Sequence, residues 1–262
     1  MKQISDLVIT RNRHISPLYG ELTLRMASDT ELFPEFVPGQ FVQVKVPDSP
    51  DTFLRRPISV CDADPANRSI TLLIRRAGEG TAHLLDMAEG EKLNLIMPLG
   101  NGFTTSSLAP QSTVMLIGGG VGIAPIHMLG KALAANGHKV NFLVGARTAD
   151  MLLLVDRLEA VGTVHVATDD GSRGAHGVVT QHPVLADGSH FDMIYCCGPA
   201  PMMKAVAAVA ARLGVSCEVS LENMMACGMG ACLCCVEQTV RGNVCVCTEG
   251  PVFNTTELTW QI

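Results

Sequence analysis

Six of the ten cysteines of this chain fall between positions 227 and 247. Cys227, Cys232, Cys235 and Cys247 are spaced C-x4-C-x2-C-x11-C, with Cys234 and Cys245 interleaved. So dense a segment takes its shape from whatever its sulfurs bind. In a small secreted domain it would be a disulfide framework. The opening residues, Met1-Lys2-Gln3-Ile4-Ser5-Asp6, lack the charged-then-apolar pattern of a secretion signal, so metal or redox chemistry is the expectation. The x4-x2 spacing is that of plant-type [2Fe–2S] sites, in which four thiolates complete the coordination of two irons. Gly228 and Gly230 let the loop wrap a cluster and aim N–H groups at sulfur, contacts that tune its potential. The competing reading is structural zinc, which usually joins two short C-x2-C knuckles. Here the first gap is four residues and the last cysteine has no such partner. Spacing favours Cys235 over Cys234 and leaves Cys245 and Cys247 open. Cys61, Cys196, Cys197 and Cys217 are isolated or lie in apolar strands, as ordinary core cysteines do.

The composition of the whole 262-residue chain narrows the partners. With 25 acidic and 19 basic residues the formal charge is −6, which argues against a nucleic-acid footprint. No run of 18 apolar residues exists, so no membrane span is expected and the chain reads as cytoplasmic.

The hydrophobic pattern divides the chain into three. Residues 1–103 are β-rich: Phe41–Val46 alternates with period two, Ser69–Ile74 is a second strand, and Pro38-Gly39, Ala77-Gly78 and Glu89-Gly90 mark turns. Short strands at such spacing predict a small antiparallel barrel. In residues 104–215 strands and helices alternate: strands at Val114–Ile117, Val140–Val144, Val164–Ala167 and Met193–Cys197, and helices up to Asn136, over Met151–Ala160 and over Pro201–Leu213. That order predicts a parallel sheet covered on both faces. Residues 216–262 form a short cysteine-dense module. The fold class is therefore multidomain α+β.

Gly118-Gly119-Gly120-Val121-Gly122-Ile123-Ala124-Pro125 follows a strand and opens a helix. Glycines admit close backbone approach to phosphates, and the helix N-terminus supplies N–H donors and positive dipole. The third glycine of the usual G-x-G-x-x-G arrives one residue early, and no acidic residue ends the second strand. A tight strand–helix turn is the blander alternative. Cys197-Gly198-Pro199 occupies the equivalent place after a later strand, so both loops are expected at one crevice. In Arg55-Arg56-Pro57-Ile58-Ser59 an arginine can neutralise a pyrophosphate and a serine can bond a flavin edge. A solvated double arginine before a proline turn explains the same residues.

Taken in order, R-x-x-S in a barrel, G-G-G-x-G-x-x-P and C-G-P resemble the ferredoxin-NADP reductase superfamily. Met225–Cys232, Cys247-Thr248-Glu249-Gly250-Pro251-Val252-Phe253 and Pro98-Leu99-Gly100-Asn101-Gly102-Phe103 narrow the resemblance to the electron-transfer subunits of type 1B dihydroorotate dehydrogenase. That resemblance implies FAD on Arg56, Pro57, Ile58, Ser59, Leu73, Ile74, Arg75, Gly80 and Thr81. It implies NAD as co-substrate on Gly118, Gly119, Gly120, Gly122, Pro125, Cys197, Gly198 and Pro199. It implies a [2Fe–2S] cluster on Cys227, Cys232, Cys235 and Cys247, the T-E-G-P-V-F tail selecting Cys247. The implied partner is an FMN-containing catalytic subunit in a two-plus-two heterotetramer, with no dihydroorotate site on this chain. Met97 departs from a glycine frequent in the family, Cys234 is an extra thiol, and Arg147 keeps a 2′-phosphate open as a ligand feature. Two rivals remain. One is the flavin subunit of a sulfide dehydrogenase or NADH-dependent ferredoxin:NADP oxidoreductase, whose cysteine segment usually begins with an acidic residue where Cys227 stands. The other is a thiol or zinc sensor that kept the fold.

Overall fold

The first six strands close on themselves. In the computed structural model, which describes residues 2–49 and 51–260, β1 (Gln3–Ser16), β2 (Tyr19–Met26), β3 (Phe41–Val44), β4 (Arg56–Asp64), β5 (Ser69–Arg75) and β6 (Lys92–Leu99) form an antiparallel barrel in the order β1-β2-β5-β4-β3-β6. Met1, Pro50, Gln261 and Ile262, the outer ends of the first and third expected regions among them, lie outside the described residues. Alternation fills the barrel: Leu7, Ile9, Leu22, Leu24, Val42, Val44, Val60, Ile70, Leu72, Leu93 and Leu95 are all buried. Helix α1 (Glu79–Asp86) adds Leu84 and Leu85 to that core.

The second unit is the expected sheet. β7 (Thr113–Gly119), β8 (Lys139–Ala146), β9 (Thr163–Thr168), β10 (Ala175–His176), β11 (Met193–Cys197), β12 (Cys217–Ser220) and β15 (Val252–Asn254) are ordered β10-β9-β8-β7-β11-β12-β15. All neighbours are parallel except β15, which pairs antiparallel with β12 at Ser220↔Val252 and Val219↔Phe253. Helix α2 (Ile123–Ala135) covers the face carrying Val114, Leu116 and Phe142; α4 (Ala200–Leu213) covers that carrying Met115, Ile117 and Ile194. The chain order reverses between β7 and β11, so the loops after these strands flank the switch point where ligands of open α/β sheets bind.

One expected element is shorter. The helix anticipated over Met151–Ala160 is α3, Val155–Glu159 only, preceded by a 3-10 turn at Ala149–Met151. Leu154 takes left-handed backbone geometry (φ 58°), which stops the helix from extending backward while Leu153 is buried.

Residues 221–251 leave the sheet and return to it. They carry the hairpin β13 (Val236–Thr239) and β14 (Gly242–Cys245) and the turn α5 (Val246–Glu249). The barrel grips this excursion: the Asn101 side chain donates to the Thr248 and Glu249 carbonyls (3.1 and 2.9 Å), and its amide donates to the Gly250 carbonyl (2.6 Å). A side chain at Gly100 (φ 75°) would strike Pro251 at 2.5 Å. Barrel and sheet are also tied by a bidentate ion pair from α3 to β2, in which both Arg157 amino groups stand 2.7 Å from the buried Glu21 carboxylate. Among the described residues no helix is long and apolar enough to cross a membrane.

Candidate functional site: two adjoining clefts and a cysteine loop

The barrel, the glycine loop and the cysteine module meet at a cleft of about 300 Å³. Pro57, Ile58, Ser59, Leu73, Ile74 and Arg75 line it from the barrel, and Val121 and Ala124 from the glycine loop and α2. These six barrel residues come from two adjacent strands, β4 and β5. Leu221, Glu222, Asn223 and Met225 form another wall that the sequence did not mark, because nothing in their pattern shows that the chain turns back onto the barrel. Burial pushes the Glu222 carboxyl above its ordinary value, and the Arg75 charge opposes the rise.

The two arginines of the Arg55-Arg56 pair separate. Arg55 is committed to structure, donating to the Asn94 carbonyl (2.8 Å), the Asn94 side-chain oxygen (2.5 Å) and the Gln43 carbonyl (3.2 Å). Arg56 has no ion pair among the described residues. Its guanidinium lies across Gly80, where an added Cβ would stand 2.7 Å from Nε. A free cation over the open first turn of α1 is a cradle suited to a pyrophosphate, since the first helical amides are unsatisfied and the dipole is positive there. The Thr81 hydroxyl instead serves the turn itself, accepting from the Ala77 and Gly78 amides (2.9 and 3.2 Å).

A second cleft, about 480 Å³, opens at the carboxyl ends of the parallel strands. Gly119, Gly120 and Pro199 line it with Gly145, Ala146, Arg147 and Asp169, and Arg75 lines both clefts. Gly122 explains the irregular glycine spacing. Its backbone is right-handed (φ −60°) and open to any residue, yet a Cβ would stand 2.4 Å from the Cys197 carbonyl oxygen and 2.7 Å from the Gly198 nitrogen. The glycine lets the two loops pack backbone to backbone. Gly118 likewise meets Ile123 (2.5 Å) and Gly119 meets Met202 (2.7 Å). Pro125 is buried near the start of α2, where a missing N–H costs nothing. Burial holds the Cys197 thiol well above its ordinary value, as expected of a core thiol.

The four expected ligand cysteines differ in depth. Cys227 is half-buried and Cys232 exposed, whereas Cys235 and Cys247 are buried. Backbone amides point at the sulfurs: Met229 N to Cys227 (3.3 Å), Gly230 N to Cys247 (3.2 Å) and Cys247 N to Cys235 (3.4 Å). The Met229 amide, more than any other contact, brings the Cys227 thiol down to about 6; burial pushes Cys247 up to about 12. Loading metal must therefore displace the proton of Cys247. Backbone amide donors on three of the four sulfurs fit a cluster of this kind. Cys245 is half-buried and turned to the Gly230 carbonyl (3.9 Å), and Cys234 is exposed.

Comparison with known proteins agrees with this architecture. Residues 222–259 match the family model of the iron-sulfur cluster binding domain of dihydroorotate dehydrogenase B, and residues 116–208 that of the oxidoreductase NAD-binding domain. The chain is 38% identical over 249 residues to the dihydroorotate dehydrogenase B (NAD(+)) electron transfer subunit of Lysinibacillus sphaericus, covering 94% of each chain. It is 39% identical over 245 residues to the subunit of the same name from Geobacillus kaustophilus, covering 92% of this chain and 94% of that one. Among solved structures, the NADH-dependent reduced ferredoxin-NADP oxidoreductase superposes with a TM-score of 0.85 at 31% identity, covering 97% of this chain and 90% of that one. Cys227 stands at the position where the resemblance places an acidic residue in that rival group, and its sulfur accepts from the Met229 amide. The chain belongs to the family of dihydroorotate dehydrogenase B electron transfer subunits.

Proposed function

We infer that this chain is the electron-transfer subunit that carries electrons from the FMN of a dihydroorotate dehydrogenase catalytic subunit to NAD+ in pyrimidine biosynthesis. The observation that carries the reading is contiguity. Met225, two residues before Cys227, walls the inner cleft, and Arg75 walls both that cleft and the outer one. Cysteine loop, inner cleft and outer cleft thus form an unbroken series. When bound, a [2Fe–2S] cluster exchanges single electrons, FAD joins one-electron to two-electron steps, and NAD+ accepts a hydride.

The residues divide the work. Cys227, Cys232, Cys235 and Cys247 are proposed to hold the cluster. Arg56, with the backbone of Gly80 and Thr81, is proposed to take the FAD pyrophosphate. Pro57, Ile58, Ser59, Leu73, Ile74 and Arg75 orient the isoalloxazine, and Leu221 and Met225 close it from solvent. Gly118 to Gly120, Gly122 and Pro125, with Cys197, Gly198 and Pro199, let the nicotinamide nucleotide approach the same place from the other side. Residues 1–103, 104–215 and 216–262 are the proposed FAD, NAD and cluster regions, although β12 and β15 of the last complete the sheet of the second. The proposed assembly is two of these chains with two catalytic subunits. The NAD(+)-linked bacterial relatives support a cytoplasmic location. Exposed Met224, Met229 and Leu233 border the cysteine loop and support that face as the partner contact.

The test is a visible spectrum of the chain purified anaerobically with a type 1B catalytic subunit. Dihydroorotate should bleach flavin and cluster bands, and NAD+ should restore them. A chain bleached by NADH but never through that partner would be a reductase of another system.

A further inference from the structure

We propose that the side-chain amide of Gln43 donates a hydrogen bond to sulfur of the [2Fe–2S] cluster and raises the cluster's reduction potential. The inference rests on the cluster reading above and assigns a positioning group from a different region of the chain, the barrel.

Strand β3 alternates. Val42 and Val44 face the barrel core, while Phe41, on the opposite face with Gln43, packs in the core that also holds Cys235 and Cys247. Gln43 is fully buried (0% exposed). Its backbone is used on both sides, opposite Pro57 on β4 and Ile96 on β6, and its carbonyl accepts from Arg55 (3.2 Å). Its side chain is not. Among the described residues, Gln43 alone has both polar side-chain atoms buried without a partner. Such an amide is costly unless something pairs it. The other orphaned buried side-chain atoms belong to Asn12, Arg13 and His138, none of them on β3 or in the cysteine module, so no orphaned side-chain nitrogen or oxygen among the described residues stands ready to pair with it.

The neighbour is the ligand loop. Gly228, directly after Cys227, has left-handed geometry (φ 71°), and a Cβ there would lie 2.8 Å from Gln43 Cγ and 3.1 Å from Nε2. The amide therefore presses on the loop that carries the first ligand. It does not line the inner cleft, although Phe41 and Pro57 do. Cluster sulfurs carry negative charge and only accept, so Nε2 is the atom that pairs with them. A donated hydrogen bond favours the more negative, reduced form, so the bond makes the cluster easier to reduce.

Gln43→Met keeps the side chain's length and removes its N–H. In the anaerobically purified holoprotein with iron and FAD verified, an EPR-monitored redox titration should show the cluster harder to reduce. The expected change is about tenfold in its reduction equilibrium, about 59 mV for a one-electron couple. The FAD potential should stay in place. Should the variant fail to load iron, the wild-type holoprotein decides: with glutamine labelled at the side-chain 15N, pulsed EPR of the reduced cluster should show a nitrogen coupling. The amide of Gln40, the nearest glutamine along the chain, already donates to the Gly100 carbonyl (2.9 Å). An iron-loaded Gln43→Met with unchanged cluster potential, or no 15N coupling in wild type, overturns the inference and leaves the cluster reading standing. Wild type with no cluster EPR signal on reduction overturns both.

Discussion

Replacing Gly122 by alanine tests whether the two nucleotide loops owe their position to one missing side chain. The new Cβ would stand 2.4 Å from the Cys197 oxygen, 2.5 Å from its carbon and 2.7 Å from the Gly198 nitrogen, all backbone atoms. Carbon contacts are comfortable only from about 3.5 Å, so the loops must part by roughly 1 Å. Backbone conformation adds nothing to the cost, because φ at Gly122 is −60°. Overpacking of this kind costs about 1–3 kcal/mol, and at about 1.4 kcal/mol per tenfold that is roughly a 5- to 150-fold loss. A comparable loss follows from displacing a bound reactant by about 1 Å. The assay is steady-state oxidation of NADH by the FAD-loaded chain with ferricyanide as acceptor. We expect kcat/KM to fall within that range, chiefly through KM, with flavin and iron content retained, since the nearest atoms to the added Cβ all belong to the Cys197–Gly198 backbone. A kcat/KM within twofold of wild type, on a correctly folded variant, would refute the argument that this contact sets the crevice.

Three further outcomes are expected. Arg157→Ala should destabilise the protein by about 3 kcal/mol in urea unfolding, the low end for a broken buried pair, because Arg157 is 35% exposed and Arg13 remains 3.7 Å from Glu21; the double variant Glu21→Leu, Arg157→Leu should recover most of the loss. Serine at Cys227, Cys232, Cys235 or Cys247 should abolish the cluster in an iron assay, whereas Cys234→Ser and Cys245→Ser should retain it; loss of iron from Cys245→Ser with retention in Cys247→Ser would reverse the ligand assignment. Burial raises the Glu218 carboxyl above 4.5, against the Thr104 amide that donates to it at 2.9 Å. The folded state therefore holds that proton more tightly than the unfolded chain. The contribution is complete below pH 4.5 and is lost as pH climbs through the raised value, so Glu218→Gln should flatten that decline in a pH series of thermal unfolding.

Much of this was readable from residue order, and the reasons differ by element. A period-two run marked β3 and an apolar run marked β5, although both strands prove to be buried on both faces. Glycine spacing pointed to both loops because backbone approach leaves few alternatives, while cysteine spacing pointed to three ligand candidates and left Cys245 and Cys247 open, so that Cys247 came only from the resemblance of the T-E-G-P-V-F tail. The helix over Met151–Ala160 misled, since a leucine-rich run is equally compatible with a buried turn, and the left-handed backbone at Leu154 has no sequence signal. The role of Gly122 was hidden for a similar reason: its clash partner, Cys197, is 75 residues away along the chain. The Leu221–Met225 wall and the orphaned Gln43 amide arise only when the barrel and the cysteine segment are brought together, and no local pattern encodes that meeting. Of the adjacent arginines 55 and 56, only the contacts of Asn94 tell which is structural.

The cysteine segment leaves the sheet at Ser220 and rejoins it at Val252, and these two residues face each other as a paired step of the ladder. In terms of chain entropy the whole excursion is one closed loop, its ends already fixed by β12 and β15 before any metal arrives. The closure term grows only as the logarithm of loop length, about 0.6 kcal/mol for each doubling. A loop tethered in this way has less entropy to lose on ordering than a free segment of the same length. The same tether limits how far the cysteine segment can swing, since it is anchored at both ends to one sheet edge beside the inner cleft.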